Sequence, residues 1–211
     1  ELEQPIVIAL EEASELVEYP HVAQDFFAML RTWHEYTKSE EAWGLLRLLL
    51  VQSTETYIPL NINQSPFNVG IEIALTPFSL EQIAALAERY GLQLEEGEIA
   101  EIFDLLGGHP HLTGLAMYHM AQSDMTWPKI SASAGTDEGI FDAHLHRHLW
   151  ALEQHADLQQ AFQQVLTASE PVQLPQVQTF KLQSMGLVQL QQNCCTVSHS
   201  LYRQYFSSRL S

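Results

Sequence analysis

The apolar residues near the N-terminus fall in continuous runs. Ile6–Leu10 is one and Leu45–Val51 is another, and each stops abruptly at polar residues, Glu11-Glu12 and Gln52-Ser53-Thr54. Runs this short, bounded by charge or hydroxyls, predict buried parallel strands. Between them Val22, Phe26, Met29, Leu30 and Trp33 recur at helical spacing, with Pro20 where a helix can begin. Strand, helix and strand within about forty residues make a βαβ unit whose strands run the same way. Glu11, Glu12, Ser53 and Thr54 then share one sheet edge. The loop Tyr57–Gly70 is long and rich in Asn and Pro, and loops of that length are often functional. Ile71–Leu75 alternates weakly and reads as a third strand.

Beyond it the pattern turns helical. Ser79 and Gln82 form a capping box, with Phe78 set to staple Ile83, and that helix stops at Gly91. A second helix carries Ile99, Ile102, Phe103 and Leu106 and ends at Gly107-Gly108. His109-Pro110 opens a third, through Leu112, Leu115 and Tyr118. From Thr136 a helix carries Phe141, Leu145, Leu149 and Leu152. Asp157 with Gln160 reads as a capping box for the next, which holds Phe162, Val165 and Leu166. Val177–Met185 forms a short helix that stops at Gly186. Leu187–Leu190 and Cys194–Val197 read as a hairpin, and Ser198 opens a terminal helix with Leu201, Tyr205 and Phe206. Helices followed by a hairpin are the plan of a winged helix-turn-helix.

Composition narrows the reading. The chain has 211 residues, 46% of them hydrophobic, enough for one large or two small cores. With 26 acids against 9 Lys and Arg the net charge is −17, which repels phosphate backbones. The expected recognition helix of the winged unit, Gln176–Met185, offers only Lys181, so nucleic acid is not an expected partner. No run approaches the ~18 apolar residues of a membrane span. Glu1 stands where an initiator Met would, and the chain reads as a fragment of a longer protein. Cys194 and Cys195 are adjacent, which gives no disulfide framework or metal spacing and fits the cytoplasm.

The chemistry lies at the strand ends. A carboxylate at the C-terminal edge of a parallel sheet can hold Mg²⁺, and its neighbour can orient a water towards a phosphate. Glu11 and Glu12 fit those two roles, and Ser53 and Thr54 lie beside them. GGHP, residues 107–110, reads either as a helix stop fused to a helix start or as a flat proline face offered to a base. His144 and His148 share a helix face at the i,i+4 spacing of a zinc pair. No third ligand is indicated, and with Arg147 alongside they are read as solvated helix surface. His109 and His111, on either side of Pro110, read as local caps.

Taken in order, EYPHVAQDFFAMLRTWHE, LRLLLVQSTETYIPLNINQSPFNVG, LLGGHPHLTGLAMYHM, DAHLHRHLWALEQ, FKLQSMGLVQL and LYRQYF resemble the AAA-like ATPase domain of cyanobacterial multidomain signalling proteins. That family is similar to the STAND branch of P-loop ATPases, and the likeness covers essentially the whole chain. Family members carry a P-loop, GxxxxGK[ST], upstream; none occurs here. The resemblance implies an α/β fold with a mainly helical remainder. Residues 1–76 would be the C-terminal half of the nucleotide-binding sheet, 77–135 a helical lid with GGHP, and 136–211 a winged helix. It implies that Glu11 and Glu12 match the Walker B acids, the family usually having Asp where Glu11 stands, and that Glu11 would hold Mg²⁺. Ser53 and Thr54 match the end of the sensor strand, Gly108 and Pro110 the element that contacts adenine, and His199 the histidine that reports the nucleotide's β-phosphate. The function so implied is part of an ATP/ADP-dependent signalling switch, with protein partners and the P-loop half supplied elsewhere in the polypeptide. Without the phosphate cradle the isolated chain is expected not to hydrolyse ATP. The alternative is a non-enzymatic interaction scaffold on a degenerate ATPase fold.

Overall fold

The structure is a computed structural model and describes residues 4–11, 13, 16, 19–51, 70–71, 73, 75–123 and 125–210. The chain divides into two compact units, Glu1–Ala74 and Leu75–Ser211.

In the first unit, strands β1 (Ile6–Leu10) and β2 (Leu46–Leu50) pair in parallel, with Ile6 beside Leu46 and Leu10 beside Leu50. Helix α1 (Pro20–Ser39) connects them. Its first turn takes Pro20, where an N–H has no intrahelical partner to lose. Ala23, Phe27 and Leu30, spaced by one turn, are buried, and Leu10, Leu48 and Leu50 pack against them. The opposite face is bare. Val7 is 62% exposed and Leu49 48% exposed, so the strands are not buried on both faces as their apolar runs predict. One helix covers one face, and nothing among the described residues covers the other. Of the expected third strand, Ile71, Ile73 and Leu75 are exposed and lie in no strand, and Glu72 and Ala74 lie outside the described residues.

The second unit is built on one continuous core. Helix α2 (Leu80–Arg89) starts with the predicted capping box, Ser79 N–H donating to Gln82 Oε1 at 2.9 Å and Gln82 N–H to Ser79 Oγ at 3.3 Å. Helices α3 (Glu96–Leu106) and α4 (Pro110–Gln122) follow. Helix α5 (Trp127–Ser133), which the sequence pattern did not reveal, is anchored by buried Trp127, whose Nε1–H donates to Glu101 Oε2 at 3.0 Å. Next come α6 (Asp142–Glu153) and α7 (Ala156–Thr167). The cap of α7 is His155, with no side-chain capping bond. Asp157 is therefore not the cap that its spacing suggests; it lies inside the first turn and accepts from Gln178 Nε2 instead. Helix α8 (Gln176–Ser184) leads to the antiparallel hairpin β3 (Val188–Gln191) and β4 (Cys194–Val197). Its two-residue turn puts Gln192 and Asn193 at positive φ, the twist that matches a tight hairpin. Val172 bridges to Cys195 on the hairpin's other side, and α9 (Ser200–Arg209) closes the chain. The core holds residues from α2 through α9, among them Ile83, Ile102, Leu112, Trp127, Leu145 and Phe206.

Phe162 tests this packing. It is fully buried in α7, edge-on to Phe206 of α9 with ring centroids 5.4 Å apart. Phe162→Ala is expected to lower the unfolding free energy by roughly 3–5 kcal/mol, the usual cost of an aromatic deleted from a core. Urea denaturation reads it directly, and a loss below ~1 kcal/mol would contradict the packing.

Candidate functional site

At the C-terminal edge of the strand pair the register places Leu10 beside Leu50, so Glu11 and Val51 leave the sheet together. Val51 N–H donates to Leu10 O at 2.8 Å, and Ala13 N–H donates to Val51 O at 3.3 Å. The acidic turn is thereby tied to the end of β2. Glu11 is exposed there, an oxygen ligand open to a cation. Glu12, Ser53 and Thr54 lie outside the described residues, as does most of the loop Tyr57–Gly70.

In the second unit GGHP is a left-handed reversal between α3 and α4. Gly107 has φ 61° and Gly108 φ 70°. At Gly108 an added Cβ would lie 2.2 Å from the Phe78 carbonyl oxygen, while Phe78 N–H donates to Gly108 O at 2.8 Å. At Gly107 it would lie 2.8 Å from His199 Cβ. Backbone conformation and close approach thus account for both glycines without a ligand. Pro110 is exposed at the start of α4. His109 caps that helix, its Nδ1 accepting from Leu112 N–H at 3.4 Å, as the local-cap reading expects.

The close approach at Gly107 brings the start of α4 to the start of α9, which His199 caps. Here an imidazole cluster forms that the sequence reading did not assemble. His109 lies 5.2 Å from His144 and 6.3 Å from His199, centroid to centroid, and His111 lies 6.0 Å from His144. His144 and His148 are 4.5 Å apart. His199 lies on the Tyr202 ring at 3.8 Å. The Tyr202 hydroxyl is 2.7 Å from His144 Nε2 and 3.4 Å from His148 Nε2. A hydroxyl has one proton to give, so one imidazole accepts it and the other bonds through an Nε2–H.

His144 and His148 are therefore not solvated surface: they are 5% and 2% exposed. The signal was present in the helix period. Phe141, Leu145, His148 and Leu152 fall on one stripe, and that stripe is buried. The exposed histidine of α6 is His146, which pairs with Asp137 at 3.1 Å.

Burial governs how the cluster titrates. It pulls His144 down to about 2, helped by the positive charge that His148, His109, His111 and His199 would carry. His148 falls to about 4, through burial and then His109 and Arg147. His199 falls to about 3 by burial, with His109 and His148 adding to it. The Leu105 backbone draws His199 the other way, and by distance and angle neither ring nitrogen of His199 has a hydrogen-bond partner among the described residues. His109 is lowered too, by burial and by His111. Despite the crowding, no group of three or more His, Cys, Asp or Glu among the described residues has the arrangement of a metal site.

The family model for the AAA-like domain matches residues 1–208. An uncharacterized WD repeat-containing protein of Synechocystis, slr0143, is 30% identical over 116 residues, 53% of this chain and 10% of that protein. The chain thus spans a small part of that relative. Among solved structures, the Walker-type ATPase PABY2304 of Pyrococcus abyssi superposes with a TM-score of 0.60 at 15% identity, over 96% of this chain and 63% of that one. That likeness bears on the fold alone.

The cluster predicts a pH dependence. Histidines of the unfolded chain take up protons near pH 6.5, whereas His148, His199 and His144 in the fold stay neutral down to about 4, 3 and 2. Between those limits the unfolded chain binds more protons, so stability rises with pH. It is fully present above about pH 6.5 and is lost on acidification, at up to about 1.4 kcal/mol per pH unit for each histidine. The urea midpoint is expected to fall steadily from pH 6.5 to 5, and less steeply in His148→Gln. A flat profile in the wild type would contradict the cluster as described.

Proposed function

The chain belongs to the AAA-like domain family, and on that premise we propose that it is part of an ATP/ADP-dependent signalling switch of the STAND type, whose Walker A half lies elsewhere in the polypeptide. The observation that carries the proposal is the shared C-terminal edge of β1 and β2, the edge at which parallel sheets bind nucleotides, with Glu11 open upon it. In this reading Glu11 ligates Mg²⁺, Glu12 orients the attacking water, and Ser53 and Thr54 sense the γ-phosphate. Gly108 and Pro110 meet the adenine, and His199 meets the β-phosphate. The exposed carboxylate of Glu11 suits a hard cation, and the unpaired nitrogens of His199 suit a phosphate oxygen. A switch of this kind works by binding ADP and ATP with different strengths in two arrangements of its parts.

Residues 77–135 serve as the lid and 136–211 as a winged helix, with α8 in the recognition position and β3–β4 as the wing. The exposed residues of α8 are Gln176, Val177, Phe180 and Gln183, with Val177 60% and Phe180 52% exposed. An uncharged surface with two large apolar residues suits a protein partner and not a phosphate backbone. The bare face of β1 and β2 suits a covering layer of helices from the other half of the nucleotide-binding domain. No helix among the described residues is long and apolar enough to cross a membrane. The free thiols Cys194 and Cys195 support a cytoplasmic location. One observation favours a non-enzymatic scaffold instead: Glu11 replaces the Asp of the family's Walker B acid, one methylene longer, which displaces a bound metal.

Pro110→Ala separates the two readings. The ring is exposed, so its loss should cost the fold less than about 1 kcal/mol. In the full-length polypeptide the switch reading expects ADP affinity to fall about tenfold, the contact of about two ring methylenes. An unchanged affinity removes Pro110 from the site, and no nucleotide binding in the unaltered polypeptide favours the scaffold. Gly108→Val cannot make this distinction, because the Phe78 carbonyl excludes any side chain there.

The chain should also leave duplex DNA unbound above background at ~150 mM salt. A sequence-dependent gel shift would overturn the protein-partner reading of α8.

A further inference from the structure

We infer that phosphate binding at His199 is proton-linked: a phosphate brought to His199 is matched by a proton that the imidazole cluster takes from solvent. The inference rests on the assignment of His199 to the nucleotide phosphate and adds to it the means by which the contact is regulated.

Three features of the geometry lead there. First, His199 is 8% exposed, and neither ring nitrogen has a hydrogen-bond partner among the described residues. A buried polar group is seldom left so, and each of these nitrogens can hold or accept a proton. Second, two helices of 13 and 10 residues begin at this point. His109 caps α4 and His199 caps α9, with their rings 6.3 Å apart. Helix N-termini attract anions and repel a protonated imidazole. Third, no carboxylate among the described residues acts on the cluster. The groups that act on it are His109 and His111 from α4, His144, His148 and Arg147 from α6, and His199 from α9. Tyr202 of α9 contributes its hydroxyl. From α3, Asp104 takes part through its backbone carbonyl, which accepts from Ser200 Oγ, and Glu101 is engaged with Trp127.

An imidazolium formed there without a partner would meet only repulsion, from Arg147 and from any other imidazole that takes a proton. A phosphate supplies the missing negative charge. When it arrives, a ring nitrogen of His199 gains a proton from solvent and becomes the cation that pairs with a phosphate oxygen. One N–H bond forms on His199, and the bond that held the proton on hydronium or a buffer acid breaks. The burial that keeps His199 neutral down to about 3 then strengthens the ion pair once the phosphate is bound. Binding of the nucleotide therefore draws in a proton, and a fall in pH favours the bound state.

Calorimetry of ADP binding to the full-length polypeptide, in two buffers of different ionisation heat, measures this uptake. About half a proton or more is expected at pH 6.5, with ADP binding tightening about threefold per pH unit from pH 8 to 6. The terminal phosphate of ADP titrates near pH 6 and would release protons if bound as the dianion, which is the opposite sign. Uptake is expected to vanish in His199→Gln and with adenosine as the probe. Unaltered melting of His199→Gln guards against loss of fold, and the pH slope of the unaltered protein stands without any variant. ADP binding with no proton uptake, or with uptake unchanged in His199→Gln, would overturn the inference and leave the nucleotide reading standing. Absence of ADP binding would overturn both.

Discussion

The second unit depends on a close approach at Gly107. The chain leaves α3 in the left-handed region for two residues, and His199 Cβ fills the space where a side chain on Gly107 would stand. Only glycine satisfies both demands at once. Because of it, α4 starts against the start of α9, and α6 is drawn to the same point through Tyr202. Neighbouring Gly108 does the same for the entry to α2, where the Phe78 backbone occupies its side-chain position. Two consecutive residues without Cβ thus fix the placement of four helices.

That placement has an electrostatic consequence. Packing imidazoles around one tyrosine ring excludes water from groups that would otherwise be partly charged near neutral pH. They remain neutral, and the fold then depends on their hydrogen bonds. Tyr202 satisfies two of them, His144 and His148. Leu112 satisfies His109 through a backbone N–H. His199 is left out of this exchange. Its ring is held by packing on Tyr202 and Gly107, which sets its position without using its nitrogens. A buried polar side chain placed by packing alone is available to a ligand in a way that the other imidazoles are not.

How much of this could be read from the sequence depended on range. Local signals were legible. The Ser79–Gln82 box, the glycine stops at 91, 107 and 186, and the hairpin around Gln192-Asn193 all stand as their residues predict. The βαβ unit was legible because continuous apolar runs and a helical period within ~40 residues admit few arrangements. Signals that needed a partner far along the chain were not. Asp157 has the spacing of a cap, yet Gln178 holds its carboxylate. His144 and His148 look like surface beside Arg147 until Tyr202, more than fifty residues on, supplies the hydroxyl that lets them be buried. Helix α5 has only seven residues and too few turns to show a period; Trp127 and Glu101 stabilise it across 26 residues of sequence. His199 was singled out by resemblance, but its unpaired nitrogens are a property of the assembled unit.

The first unit shows the reverse situation, a sequence written for more structure than the described residues supply. A parallel strand that faces water on one side is expected to alternate apolar and polar residues. On β1 and β2 the outward positions include Val7, Ala9 and Leu49, all apolar and all exposed. Arg47 is the polar one, and its guanidinium turns back to the Gly44 and Leu46 carbonyls. The residues of β2 that alternate with these, Leu46, Leu48 and Leu50, are all apolar, and Arg47 alone distinguishes the far side from them. Such strands carry the pattern of two-sided burial, and a two-stranded sheet is in any case marginal in water. The continuity that marked Ile6–Leu10 and Leu45–Val51 as strands is the same property that leaves apolar side chains on an outer face that no described residue covers. Both follow from strands whose sequence specifies a second layer.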